Sequence, residues 1–145
     1  MLINLCSRLP YGVKIFIPDY TEPQQLCGLD TNKFLFGTET TPIVRKIFNK
    51  YGELYFKPYL RPMSSMTEEE EKDFRRKCFN NTNWYPEKGK IWHPKTFYGL
   101  SMEFKSMAIY LDWLNAHHLD YGGLIEKGLA LEAPEDMYEK ENTEN

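Results

Sequence analysis

The chain has 145 residues and a mass of 17.2 kDa, 41% of them hydrophobic and 15% aromatic. That is enough apolar surface for one real core, which excludes global disorder and makes a single domain over 1–145 the simplest organisation. A net charge of −3 argues against an unspecific nucleic-acid binder, and no run approaches the roughly 18 apolar residues of a membrane span.

Leu2, Ile3 and Leu5 read as the start of a short strand, broken near Pro10-Tyr11-Gly12. The opening residues lack the basic start and long apolar stretch of a signal peptide, so a soluble cytoplasmic protein is expected. Val13 to Ile17 is rich in β-branched and aromatic residues and reads as a strand stopped by Pro18. Gln24 to Leu29 and Lys33 to Phe36 flank Asp30-Thr31-Asn32, the composition of a hairpin turn. Gly37 and Pro42 bound the next gap. Residues 43–51 fit both a helix, with Ile43, Ile47 and Tyr51 on one face, and a strand. A turn at Tyr51-Gly52-Glu53 then leads to Leu54-Tyr55-Phe56. Short strands with close-set turns predict a small, strongly bent sheet or barrel through about residue 62.

Residues 57–71 separate the two halves. Pro58 and Pro62 forbid a regular helix there and hold an extended path. Thr67 with Glu70 forms a capping box, which predicts a helix starting within two residues of Thr67. Acids in its first turn and Arg75, Arg76 and Lys77 at its end offset the helix dipole, and Glu68–Lys72 and Glu71–Arg75 are favourably spaced. The four-Glu run reads as a solvated helix start rather than a metal site. Phe74 and Cys78 give this helix a thin apolar face, so it lies on the surface.

Residues 79–101 carry Trp84, Tyr85, Trp92, Phe97 and Tyr98, interleaved with Lys88, Lys90, His93 and Lys95 and broken by Pro86, Gly89, Pro94 and Gly99. So long a connection without periodicity is unusual unless it is functional. Rings beside cations suit stacking on a base and holding a phosphate, or they pin the loop to the body. Glu103 to His118 is the clearest helix, with Phe104, Met107, Leu111, Leu114 and His118 on one stripe. Ile109, Trp113 and Ala116 form a second apolar patch, a candidate interface to the chain itself, to a second subunit or to a host protein. Leu124 to Lys127 is a helical turn stopped by Gly128, and Leu129 to Ala133 alternates as a possible return strand.

Charge is unevenly spread. Residues 132–145 hold six acids against Lys140, a net of −5 that leaves the rest of the chain at +2. Residues 134–145 read as an acidic tail. Residues 44–61 are basic, with Arg45, Lys46, Lys50, Lys57 and Arg61 against Glu53 alone. No nucleophile elbow, Gly-rich phosphate loop or Cys-x-x-Cys is present, so no cofactor, catalytic residue or metal ligand is assigned. His117 and His118 point about 100° apart on a helix and cannot easily clasp one ion. Cys6, Cys27 and Cys78 read as reduced thiols.

Three blocks carry a resemblance: Leu5-Cys6-Ser7-Arg8-Leu9-Pro10-Tyr11-Gly12-Val13, residues 57–71, and Asp112-Trp113-Leu114-Asn115-Ala116-His117-His118 through Leu131-Glu132-Ala133. In that order they resemble small uncharacterised proteins of Bacteroidales phages and integrated mobile elements. The resemblance implies a phage or mobile-element origin in the cytoplasm of a bacterial host, and brings no site.

The resulting expectation is an α+β domain, mainly β to about residue 62 and mainly helical over about 67–133, with two main helices covering the sheet. Its expected function is non-enzymatic sequestration of a nucleotide-like anion, such as a host-defence signal. The expected contacts are Trp84, Tyr85 or Trp92 on the base and Lys88, Lys90, Lys95 or Arg61 on the phosphates. Inhibition of a host protein and nucleic-acid binding are the alternatives.

Overall fold

A helix, not a strand, opens the chain. In the computed structural model, which describes residues 2–38, 40–78 and 107–139, α1 spans Leu2–Cys6. The cause is its burial spacing. Leu5 and Arg8 are fully buried while Ile3 is 85% exposed, a period of three rather than two. Arg8 Nε donates to Asn4 Oδ1 at 2.7 Å, and Nη2 donates to the Leu119 carbonyl at 2.7 Å. Burial lowers the Arg8 pKa to about 10. Gly12, at φ 67°, closes the 3₁₀ turn Leu9–Tyr11, where the sequence placed the break.

Among the described residues six strands then form one open sheet in the order β4-β3-β2-β1-β5-β6. They are β1 (Lys14–Phe16), β2 (Gln24–Leu29), β3 (Lys33–Gly37), β4 (Pro42–Lys46), β5 (Lys57–Leu60) and β6 (Leu131–Glu132). Neighbours run antiparallel except β5 and β6, which are parallel. With β4 and β6 as separate edges the sheet does not close into a barrel. The β2–β3 hairpin lies where Asp30-Thr31-Asn32 predicts it. The ambiguous stretch 43–51 is a strand through Lys46. Ile47 then turns into the core, and Phe48 bridges Leu54. The next strand starts at Lys57, not Leu54, and tolerates Pro58 because pairing with β6 begins one residue later, at Tyr59.

The 57–71 junction behaves as the sequence predicts, with one addition, a 3₁₀ turn at Met63–Ser65. Helix α2 spans Glu68–Cys78. Its capping box is complete: Thr67 N–H donates to Glu70 Oε2 at 2.9 Å, and Glu70 N–H donates to Thr67 Oγ1 at 3.2 Å. Glu71, Phe74 and Cys78 face inward. The described part of the long helix, α3, spans Met107–Ala116 and packs on α2. Its buried side is Tyr110, Trp113, Leu114 and Asn115, whereas the sequence placed Leu111 with Leu114 and Trp113 on a separate patch.

After α3, both Asp120 carboxylate oxygens cap the next turn, accepting from Leu124 N–H at 2.8 Å and Ile125 N–H at 2.9 Å. Gly128, at φ 69°, ends it in a Schellman motif: Leu129 N–H reaches Leu124 O at 2.9 Å and Gly128 N–H reaches Ile125 O at 3.0 Å. The chain then returns to the sheet as β6.

One apolar cluster lies under the sheet, around Leu5, Ile15, Leu26, Phe34, Phe36, Phe56 and Leu60. A second joins α2 and α3 through Met63, Met66, Phe74, Tyr110, Trp113 and Leu114. Among the described residues no helix is long and apolar enough to cross a membrane.

The expected acidic tail is corrected in its first part. Residues up to Glu139 fold back, because Tyr138 is buried and its ring stacks on His118 at 3.8 Å. The Tyr138 hydroxyl accepts from Lys14 N–H at 3.0 Å and donates to Tyr59 O at 2.8 Å. It bridges β1 and β5 where their direct pairing stops. Tyr138→Phe keeps the stack but removes the bridge, and is expected to cost about 1–3 kcal/mol. Denaturant unfolding checks this; wild-type stability would mean that water replaces the hydroxyl without loss.

Candidate functional site

The sequence-predicted residues fall into three groups. Trp84, Tyr85, Lys88, Lys90, Trp92 and Lys95 lie outside the described residues. Arg61 is held by the fold: Nη1 and Nη2 clasp the two carboxylate oxygens of Glu70 at 2.7 and 2.8 Å. Nη2 also donates to Ser65 O at 3.1 Å. Burial would raise the Glu70 pKa, but the Arg61 hydrogen bond and the Thr67 backbone N–H outweigh it and lower it. The adjoining cavity, about 340 Å³, is lined by Glu70, Glu132, Glu135 and Glu139 around this one arginine, an environment that repels phosphate.

Ile109, Trp113 and Ala116 do not form one exposed patch. Trp113 is 5% exposed and lies 4.7 Å from the Phe74 ring, covered by the chain itself. Ala116 is half-buried, and Ile109 is 45% exposed. Among the described residues no three His, Cys, Asp or Glu side chains gather as they would around a metal. His117 Nδ1 lies 2.8 Å from Trp113 O, and His118 sits under Tyr138.

The basic and aromatic residues that do come together are in the segment leaving β4. An open groove of about 610 Å³ is lined by Arg45, Lys46, Phe48, Asn49, Lys50, Tyr51 and Tyr55. Asn49 builds it. Its side-chain oxygen accepts from Tyr51 N–H at 2.9 Å and Glu53 N–H at 3.0 Å, and its own N–H donates to Glu53 O at 2.8 Å. Gly52, at φ 79°, supplies the left-handed residue that the tight return needs. The turn leaves Tyr51 74% and Phe48 48% exposed, with Lys50 Nζ 4.9 Å from the centre of the Tyr51 ring. Tyr55 anchors the far wall through its hydroxyl bond to Asp19, which raises the Tyr55 pKa.

The groove can therefore offer flat rings and three cations to one ligand. The sequence signal for it was present, in the basic bias of 44–61 and the Tyr51-Gly52-Glu53 turn. The aromatic loop at 79–101 carries more rings and outweighs that signal in the sequence. Comparison with protein-family models, curated proteins and solved structures found no match.

Proposed function

We propose that the protein is a non-catalytic binding protein that sequesters an anionic, ring-bearing ligand of the nucleotide class. The observation that carries this reading is the groove at 45–55. There Phe48, Tyr51 and Tyr55 stand beside Arg45, Lys46 and Lys50, and none of these three cations has an acidic ion-pair partner among the described residues. Rings stack on a base whatever its identity, and unpaired cations at the rim attract phosphate. In the phage setting implied by the sequence resemblance, holding such a ligand would withdraw a host-defence signal.

Calorimetry against a panel of linear and cyclic nucleotides tests this, with the ligand recovered intact afterwards. At least one member is expected to bind, more weakly as salt rises. Tyr51→Ala should weaken it about tenfold, since one stacked base is worth about 1–3 kcal/mol. No heat with any member refutes the reading, and chemical conversion of the ligand would reveal an active site instead.

A further inference from the structure

Strand β4 is a sheet edge, and every residue of it is exposed. Ile47 N–H donates to Asn32 O at 2.9 Å. The alternation of an antiparallel ladder then turns the backbone groups of Ile43 and Arg45 toward β3, and those of Val44 and Lys46 outward. Pro42, also at an outward position, has no N–H to offer. Ile43 lies opposite Phe36 and Val44 opposite Leu35, so the edge shows an apolar side chain on each face, 41% and 51% exposed. Its charge is of one sign. Lys46 stands directly across from Lys33, a destabilising like-charge pair, with Arg45 and Lys50 close by in the chain. Neither Lys33 nor Lys46 has an acidic ion-pair partner among the described residues.

We infer that the β4 edge docks an extended, acidic segment of another protein, which adds as a further strand beside Val44 and Lys46. Backbone pairing would hold the segment, Ile43 and Val44 would meet its apolar residues on either face, and its carboxylates would relieve the Lys33–Lys46 repulsion. A second copy of this chain fits poorly, because it brings the same cations to a five-residue seam. The inference goes beyond the ligand groove, with which it shares the cations Arg45, Lys46 and Lys50: it uses the outer backbone of β4 rather than the rings at 48–55.

Fluorescence anisotropy tests it, with a labelled heptapeptide alternating Glu or Asp with Val and a second peptide carrying Lys in place of the acids. The acidic peptide is expected to bind and the basic one not. Val44→Pro removes an outward N–H at an edge position where proline is tolerated, and should weaken binding roughly tenfold with an unchanged melting temperature. Lys33→Glu should weaken it several-fold without touching the ladder, and it carries the test alone if Val44→Pro fails to fold. Tyr51→Ala should leave peptide affinity intact, and Val44→Pro should leave nucleotide binding intact, so the two sites fail separately. Equal binding of both peptides, no binding of either, or wild-type affinity in Lys33→Glu overturns the inference. So does a dimer by light scattering that Val44→Pro dissolves, which would assign the edge to a second copy.

Discussion

Trp113→Ala is expected to cost about 3–5 kcal/mol of folding stability, a large share of what a domain of this size has. The indole is sandwiched between Phe74, at 4.7 Å, and the His117 ring, at 3.8 Å. Its N–H donates to Asp73 Oδ2 at 2.9 Å. Truncation therefore opens a cavity between α2 and α3 and also removes a donor from a carboxylate. Burial would raise the Asp73 pKa, but hydrogen bonds from Trp113, Arg76 and Lys77 outweigh it and hold it at about 2. Trp113→Phe keeps most of the packing and loses the donor, so it should cost less than the alanine variant. Ile109→Ala, on the exposed side of the same helix, should stay within about 0.5 kcal/mol. Urea unfolding measures all three. A stable Trp113→Ala protein with an altered mass in light scattering would instead place this ring at an interface between subunits.

Acid should weaken the fold well before its carboxylates titrate, because of His118. Its ring is 3% exposed and stacked on Tyr138. Burial lowers its pKa from the ordinary 6.5 to about 3, and the charges of Arg8, Arg61 and His117 push the same way. A hydrogen bond with the Tyr11 backbone acts against them, more strongly than Arg61 or His117 acts for them, but burial and Arg8 outweigh it. A histidine kept neutral in the fold gains its proton on unfolding. Its contribution to stability is thus complete above pH 6.5 and is lost as the pH falls toward 3. The expected slope is about 1.4 kcal/mol per pH unit between roughly pH 6 and 4. The depressed pKa values of Glu70 and Asp73 act lower, below the ordinary 4.5 and 3.8. His118→Asn should flatten the upper part of the curve, since asparagine tolerates the left-handed φ of 55° found here. Urea midpoints from pH 7 to 4 check it. An identical slope in the variant would assign the acid sensitivity to another group.

Residues acting on near neighbours were legible in the chain itself. Asp30-Thr31-Asn32 turns between two strands, Thr67 and Glu70 cap α2, and Gly128 ends a turn, because each effect spans a few bonds and rests on local backbone chemistry. The proline-marked change from sheet to helix, and the α+β class with its return strand, followed from the same signals.

What spans the chain was decided by tertiary packing. Leu2, Ile3 and Leu5 are apolar enough for a strand, yet Leu2–Cys6 folds as a helix that buries Leu5 and exposes Ile3, and Arg8 just beyond it donates to the Leu119 carbonyl. Trp113 belongs to the core because α2 covers it, a contact across 40 residues that no helical stripe records. Arg61 looks like a free cation in the sequence, and Glu70 fills its fork nine residues later. Tyr138, within a strongly acidic segment, bridges β1 and β5 at a distance of 124 residues from Lys14. Propensity and periodicity describe what a residue prefers among its neighbours along the chain. Which buried donor meets which acceptor, and which edge strand stays uncovered, depends on the arrangement of all six strands at once.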